Sequence, residues 1–308
     1  STIARTARTA TLAPLVEGQR LDQATFHERY EQMPPGTRAE LINGVVHMPG
    51  PVGPEHGRAT VPALVWLSYY QENTPGVDVL DNTSTVLDVR REPQPDVQLR
   101  ILPEYGGRTQ AGRRFVRGVP ELIVEVSHTT RYTDLGPKFD DYERAGVLEY
   151  VVRAFGPDEV LWFFLREGRL VGLPPDSEGI FRSESFPGLW LDPRALIEGN
   201  TRRLREILDR GLATTEHSAF VARLAARRER AASRSFGQTC FTRSKTSDAI
   251  LDTITQQSTL SQVGRRHIHD PGDRRLGGLL RKRQTRPAYR TPPSCKSVGS
   301  GASTSCRL

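Results

Sequence analysis

Apolar residues recur along the chain at two periods, and the switches between them mark its elements. Phe26 and Tyr30 stand i, i+4 after Leu21-Asp22, which predicts a helix ending before Pro34-Pro35-Gly36. Ala39–Ile42 and Val45–Met48 flank Asn43-Gly44. Asn-Gly between two apolar runs predicts a hairpin, because a type I′ turn needs positive φ at both central residues. Pro49-Gly50-Pro51 closes that hairpin, and Val61, Leu64, Val65 and Leu67 then predict a helix from His56 to Tyr70. Strands are expected at Val77–Leu80, Thr85–Val89, Val97–Ile101 and Glu121–Val126. The last of these, Glu-Leu-Ile-Val-Glu-Val, is nearly continuously apolar, as in a strand buried on both faces.

The pattern goes on with a helix from about Thr133 to Ala145, stopped at Gly146. Strands follow at Glu149–Ala154 and Glu159–Leu165, the second turning at Glu167-Gly168. Helices are expected at Pro193–Leu212 and His217–Ala232. No internal repeat is visible. This order predicts an α/β (α+β) fold, a mixed central β-sheet flanked by helices with an N-terminal β-hairpin. Residues 1–20 read as a loose lead-in, 21–200 as the main domain and 201–232 as a helical extension. From about Ser233 the chain turns Ser/Thr/Arg/Gly/Pro-rich without apolar periodicity, so 233–308 reads as a disordered basic tail, or as sequence in a shifted frame.

Charge follows the same division. Residues 201–308 hold 22 Lys and Arg against 8 Asp and Glu, whereas 1–200 hold 21 against 28. The net +7 therefore belongs to the C-terminal third, and a polyanionic partner for the core must be argued from its chemistry. Arg281-Lys282-Arg283, with Arg286 and Arg290, could bind nucleic acid non-specifically. In the core, Arg108, Arg113, Arg114 and Arg117 make one basic loop that either contacts phosphates or is simply solvated. Cys240, Cys295 and Cys306 all lie in the tail without CxxC spacing, which excludes a disulfide framework or thiolate zinc site in the core. No apolar run approaches the roughly 20 residues of a membrane span, and no signal-peptide apolar region opens the chain. The expectation is a cytoplasmic protein without membrane contact.

The candidate chemistry is acidic. Pro95 cannot donate to a sheet ladder, so it marks the start of a strand with Asp96 at its mouth. Glu125 lies inside Leu122–Val126, where a carboxylate needs a cation, a metal or a proton, or else a structural salt bridge. Lys138 falls on the same helical arc as Leu135, Phe139 and Tyr142, so it either snorkels to solvent or points at something negative. Glu40 opens the hairpin strand. Asp, Glu and Lys on adjacent strands and a flanking helix form a minimal set for phosphodiester hydrolysis. The carboxylates suit Mg²⁺, and the lysine suits a water or a developing charge.

Five stretches in order carry a resemblance: Glu40–Gly44, Pro54-Glu55-His56, Gln94-Pro95-Asp96, Pro120–Val126 and Asp134–Lys138. It continues through Tyr142, Ala145-Gly146-Val147 and Glu149-Tyr150. Over roughly Asp22 to Leu196 the chain resembles the Uma2 family, a branch of the PD-(D/E)xK superfamily of predicted restriction endonucleases. The resemblance implies a restriction-endonuclease-like fold. It also implies Mg²⁺ (Mn²⁺ as alternative) on Asp96, Glu125 and the Val126 backbone carbonyl, with Glu40 assisting. The superfamily lysine position, two residues after the glutamate, is Ser127 here, so the resemblance moves that role to Lys138. Two further departures are Ser127-His128-Thr129-Thr130 after the glutamate strand and Arg153 in place of a strand-ending aspartate. The resulting expectation is a Mg²⁺-dependent endonuclease acting on DNA, with a homodimer expected by analogy. The alternatives are a catalytically inactive nuclease-fold module that binds DNA or protein, and a cluster of purely internal ion pairs.

Overall fold

The computed structural model describes residues 12–128 and 130–234. The tail expected at 233–308, with its basic run and its cysteines, lies outside the described residues beyond Arg234, as do residues 1–11 of the lead-in and Thr129.

Asp22 caps α1 (Gln23–Glu31), accepting from Thr25 N at 2.8 Å, and Phe26 is the buried residue of that helix. The hairpin β1 (Glu40–Ile42) and β2 (Val45–His47) pairs Ile42 with Val45 around Asn43 (φ 49°) and Gly44 (φ 75°), the two positive φ values expected. Next come α2 (Pro54–Asn73), β3 (Val77–Asp81), β4 (Thr85–Val86), β5 (Val97–Ile101), β6 (Gln110–Ala111), β7 (Val116–Arg117) and β8 (Leu122–Ser127). The chain continues through α3 (Arg131–Asp134), α4 (Pro137–Ala145), β9 (Glu149–Ala154), β10 (Glu159–Arg166) and β11 (Arg169–Gly172). Then follow β12 (Phe181–Arg182), β13 (Trp190–Leu191), α5 (Pro193–Glu198) and α6 (Thr201–Leu212), and residues 215–234 are helical.

The central sheet is mixed, with strand order β11-β10-β9-β8-β5-β3; β8 pairs antiparallel to β5 and parallel to β9. Every residue of β8 is buried. Alternation along it serves two cores. Leu122 and Val124 pack in one with Trp66 and Leu67 of α2 and with Leu204 and Leu208 of α6, whereas Ile123 packs in the other with Tyr142, Tyr150 and Val152. Phe220 and Leu224, from the helical residues 215–234, join the first core too, so packing runs without a break across residue 200. A third cluster places Phe26 of α1 against Leu41 and Val46 of the hairpin.

Three expected elements differ. The helix over 133–145 is two helices, because Pro137 lacks the N–H that would continue the first and restarts the second at its N-terminal position. Gly136 is required at the break, since a Cβ there would lie 2.6 Å from the Tyr132 carbonyl oxygen. The helix over 193–212 divides at Gly199 (φ 70°), and Asn200 caps the second part by accepting from Arg203 N at 3.1 Å. The strand over 85–89 stops at Val86, because Asp88 and Arg91 close a tight turn joined by their own ion pair. The arginine-rich loop is no open loop. It forms the β6–β7 hairpin, and β7 pairs with β4 in a small three-stranded sheet. Among the described residues no helix is long and apolar enough to cross a membrane.

Candidate active site

Sheet register brings the two central carboxylates together. Val97 pairs with Val124, so Asp96, one residue before β5, stands across from Glu125. Two backbone amides fix the pair: Asp96 N donates to Glu125 Oε2 at 3.3 Å, and Val126 N donates to Asp96 Oδ2 at 2.8 Å. The Val126 N–H is thus taken by Asp96, which is a separate matter from the role expected of its carbonyl as a metal ligand.

Glu40 arrives from the hairpin. Leu41 and Glu92 exchange both backbone hydrogen bonds, which carries Gln94 alongside, and Gln94 N donates to Glu40 Oε1 at 2.7 Å. The hairpin turn is clamped to α4, where Asp141 Oδ2 accepts from Asn43 N at 2.6 Å. That clamp holds β1 beside the first turn of α4, which bears Lys138. The Lys138 ammonium lies 3.0 Å from Glu40 Oε1, 3.1 Å from Glu125 Oε1 and 3.8 Å from Asp134 Oδ1. It does not snorkel to solvent, being 6% exposed. The structure thus brings Glu40, Asp96, Glu125 and Lys138 into one cluster, and each ion pair from Glu40 or Glu125 runs to Lys138.

Three further residues belong to this cluster and were not singled out from the sequence. Asp134, 2% exposed, ends α3 four residues before Lys138, and its Oδ2 accepts from Thr130 Oγ1 at 2.5 Å. Tyr142, one turn after Lys138, donates its hydroxyl to Glu125 Oε1 at 2.7 Å. His56, in the first turn of α2, places Nε2 3.2 Å from Asp96 Oδ2. The i−4 and i+4 spacing about Lys138 was the available signal for the first two. His56 offered only its place in the Pro54-Glu55-His56 stretch. Of the two departures, His128 borders the cleft and pairs with Glu55 at 3.2 Å. Arg153 is structural: it donates to Asp158 at 3.0 Å, and its guanidinium lies 4.1 Å from the Phe155 ring centroid.

Electrostatics set the character of the cluster. Four buried carboxylates (Glu40, Asp96, Glu125, Asp134) face one ammonium. Burial pushes Glu125 well above the usual carboxylate range, and Asp96, Asp134 and Glu40 push the same way against Lys138. Burial also raises Asp134. Asp96 is buried too, yet it lies below its usual value, because the His56 imidazole, the Val126 N–H and Lys138 favour its charged form. The same hydrogen bond raises His56. Burial alone would lower Lys138, but Glu125, Glu40 and Asp134 outweigh it and hold the ammonium well above its ordinary value.

The cluster forms the floor of a cleft of about 690 Å³, walled by the Pro49–Gly53 loop, with Arg38 and Arg58 among its cationic side chains. Among the described residues no group of three or more His, Cys, Asp or Glu side chains is arranged to hold a metal ion. Asp96 and Glu125 are a two-carboxylate set. That set suits Mg²⁺, which keeps several waters and is commonly held by one or two carboxylates with substrate phosphate. The excess of buried carboxyl groups over ammonium fits a divalent cation as well, since a bound cation would favour their ionised forms. Gln94, also in the cleft wall, carries a buried Oε1 without a hydrogen-bond partner.

Residues 27–194 match the Uma2 family, described as "Putative restriction endonuclease". No curated protein matches the chain. Among solved structures, it is similar to a protein described as a putative nuclease belonging to DUF820 from Anabaena variabilis ATCC 29413. The two are 12% identical with a TM-score of 0.39, over 59% of this chain and 97% of the other.

Proposed function

The chain belongs to the Uma2 family, and from that premise we propose that it is a divalent-metal-dependent endonuclease of the PD-(D/E)xK type that hydrolyses phosphodiester bonds in DNA. The observation that carries the reading is the excess of buried carboxylate over cation around Asp96 and Glu125. Burying unpaired charge is costly, and a cluster short of positive charge favours a cation as ligand.

Asp96 and Glu125 would hold Mg²⁺ or Mn²⁺, with the Val126 carbonyl as a further donor. The bound ion supplies polarisation of the scissile phosphate and a more acidic water. The remaining work falls to side chains already in position. Lys138 orients the attacking water and offsets charge that builds on the phosphate oxygens. Glu40 restrains the ammonium, and Tyr142 with Lys138 fixes Glu125 Oε1. His56 keeps Asp96 ionised and turned toward the strand. We further propose a homodimer, which would cut both strands, and a reducing, cytoplasmic setting in keeping with a cysteine-free core.

The second reading is a nuclease fold kept for binding alone. It is favoured by the negative balance of residues 1–200 and by the ammonium that already sits on Glu125. The deciding experiment compares the full chain with Asp96→Ala and Lys138→Ala on supercoiled plasmid and on single-stranded DNA, with and without Mg²⁺. The endonuclease reading expects metal-dependent cutting that both variants lose. Undiminished cutting in both variants overturns it. DNA retention without cutting by the unmodified chain supports the binding module.

A further inference from the structure

We propose that the recess between the α1–β1 loop and the tip of the β6–β7 hairpin is a nucleotide subsite that takes an unstacked base of the strand lying in the cleft. The inference rests on the nuclease reading above and adds where the strand is gripped beyond the scissile bond.

The recess holds about 320 Å³ and is lined by Tyr30, Pro34, Thr37, Ser84, Arg114 and Phe115 among others. That volume lies at the lower end of small-ligand sites, about 300 Å³ and upward. Its aromatic wall is held in place before any ligand arrives. Phe115 is fixed at the hairpin tip, where its carbonyl accepts from Gly112 N at 2.8 Å. Its ring packs on His27 at 4.3 Å between centroids and lies 6.1 Å from Tyr30. His27 is itself held by buried Glu92 at 2.9 Å. A pre-positioned ring is the element that sequence-tolerant single-strand recognition uses, because every base has a π-face.

Cations stand beside that ring. Of the four arginines near the hairpin, Arg108 is committed to Glu121 and to the carbonyls of Pro120 and Gly146, and Arg117 points to His27. Among the described residues Arg113 and Arg114 make no ion pair, and both are exposed. The Arg114 guanidinium lies 5.7 Å from the Phe115 ring centroid, so a phosphate and a stacked base can be met together. Glu31, on the rim, is the one acidic lining residue, and it offers an acceptor for an exocyclic amine.

The recess also adjoins the cleft. Consecutive residues serve the two: Thr37 lines the recess and Arg38 the cleft. The Arg38 guanidinium donates to Asn82 Oδ1 at 3.1 Å, two residues before Ser84 in the recess wall. A strand leaving the acidic floor would pass Arg38 and arrive at Arg114 and Phe115. This gives a core of net negative charge a cationic path for a polyanion.

The test uses the full chain in metal-free buffer with single-stranded oligonucleotides bearing 2-aminopurine at successive positions. Two variants are compared with the unmodified chain: Arg114→Glu on the exposed tip, and Phe115→Leu, which keeps apolar volume and removes the π-face. The basic tail is common to all three, so differences report on the recess. The expected result is an affinity at least about fivefold weaker in each variant, with an emission change at one or two positions that Phe115→Leu abolishes. Unchanged affinity in both variants, while the unmodified chain still cuts DNA, overturns the subsite and leaves the nuclease reading standing. An unmodified chain that neither binds nor cuts DNA overturns both.

Discussion

Lys138 and Tyr142 stand one turn apart on α4 and deliver their donors to a single oxygen, Glu125 Oε1, at 3.1 and 2.7 Å. The other oxygen, Oε2, is left on the Asp96 side. One helix face thus decides how a buried carboxylate is turned. Tyr142→Phe keeps the ring in its core and removes only the donor. Leaving a buried acceptor without its donor costs about 1–3 kcal/mol, so urea unfolding of this variant should show a loss in that range. Wild-type stability would mean that the hydroxyl does not hold Glu125.

Lys138→Met should cost more. It removes the one ammonium shared by Glu40, Glu125 and Asp134, and breaking a buried ion pair from one side costs about 3–5 kcal/mol. The folded-state pKa of Lys138 is raised, so its contribution is complete below the ordinary lysine value and is lost as pH rises through the folded value. Carboxylate protonation should relieve the variant, so its deficit relative to the unmodified chain should shrink on acidification. Thermal melts across pH check this, and a pH-independent deficit would count against the charge argument.

Glu40→Gln and Asp96→Asn should separate two roles. Glu40 touches Lys138, whereas Asp96 is joined to Glu125 through the strand backbone. Calorimetry with Mn²⁺ should therefore show binding lost in Asp96→Asn and nearly kept in Glu40→Gln, with the cutting rate falling in both. Equal loss of metal binding would merge the two roles.

His217 gives a pH effect remote from the cleft. Nδ1–H donates to the Leu212 carbonyl at 3.1 Å and Nε2 accepts from Thr74 Oγ1 at 2.9 Å, an arrangement of the neutral ring. Burial lowers its pKa below the ordinary 6.5. The unfolded chain then binds the proton first, so stability falls as pH drops from the unfolded value toward the folded one. Denaturant midpoints at successive pH values should show this slope, and His217→Gln should flatten it.

Much of the frame was legible because it is written in local residues. Asn43-Gly44 declares its turn, and Leu122–Val126 declares a strand with two buried faces. Asp96, Glu125, Lys138 and Glu40 could be named, but the pairing of Val97 with Val124 that sets the first two face to face is non-local. The breaks at Gly136-Pro137 and Gly199-Asn200 were hidden by an apolar rhythm that runs through both helices. Tyr142 was legible as an apolar face and not as a donor, since periodicity reads the ring and is blind to the hydroxyl. The β6–β7 hairpin escaped notice because two-residue strands carry too few side chains to show alternation.

Burial of β8 on both faces has a consequence for motion. Its amides, held between β5 and β9, should be among the last to exchange with solvent, opening only with the whole molecule. Glu125 is attached to that slow strand, and Asp96 adjoins the neighbouring one. Adaptation to different substrates is then expected from the part of the cleft wall outside the sheet, the Pro49–Gly53 segment with its exposed Val52. The cleft has one bank that keeps time on the scale of global unfolding and another that no sheet ladder holds.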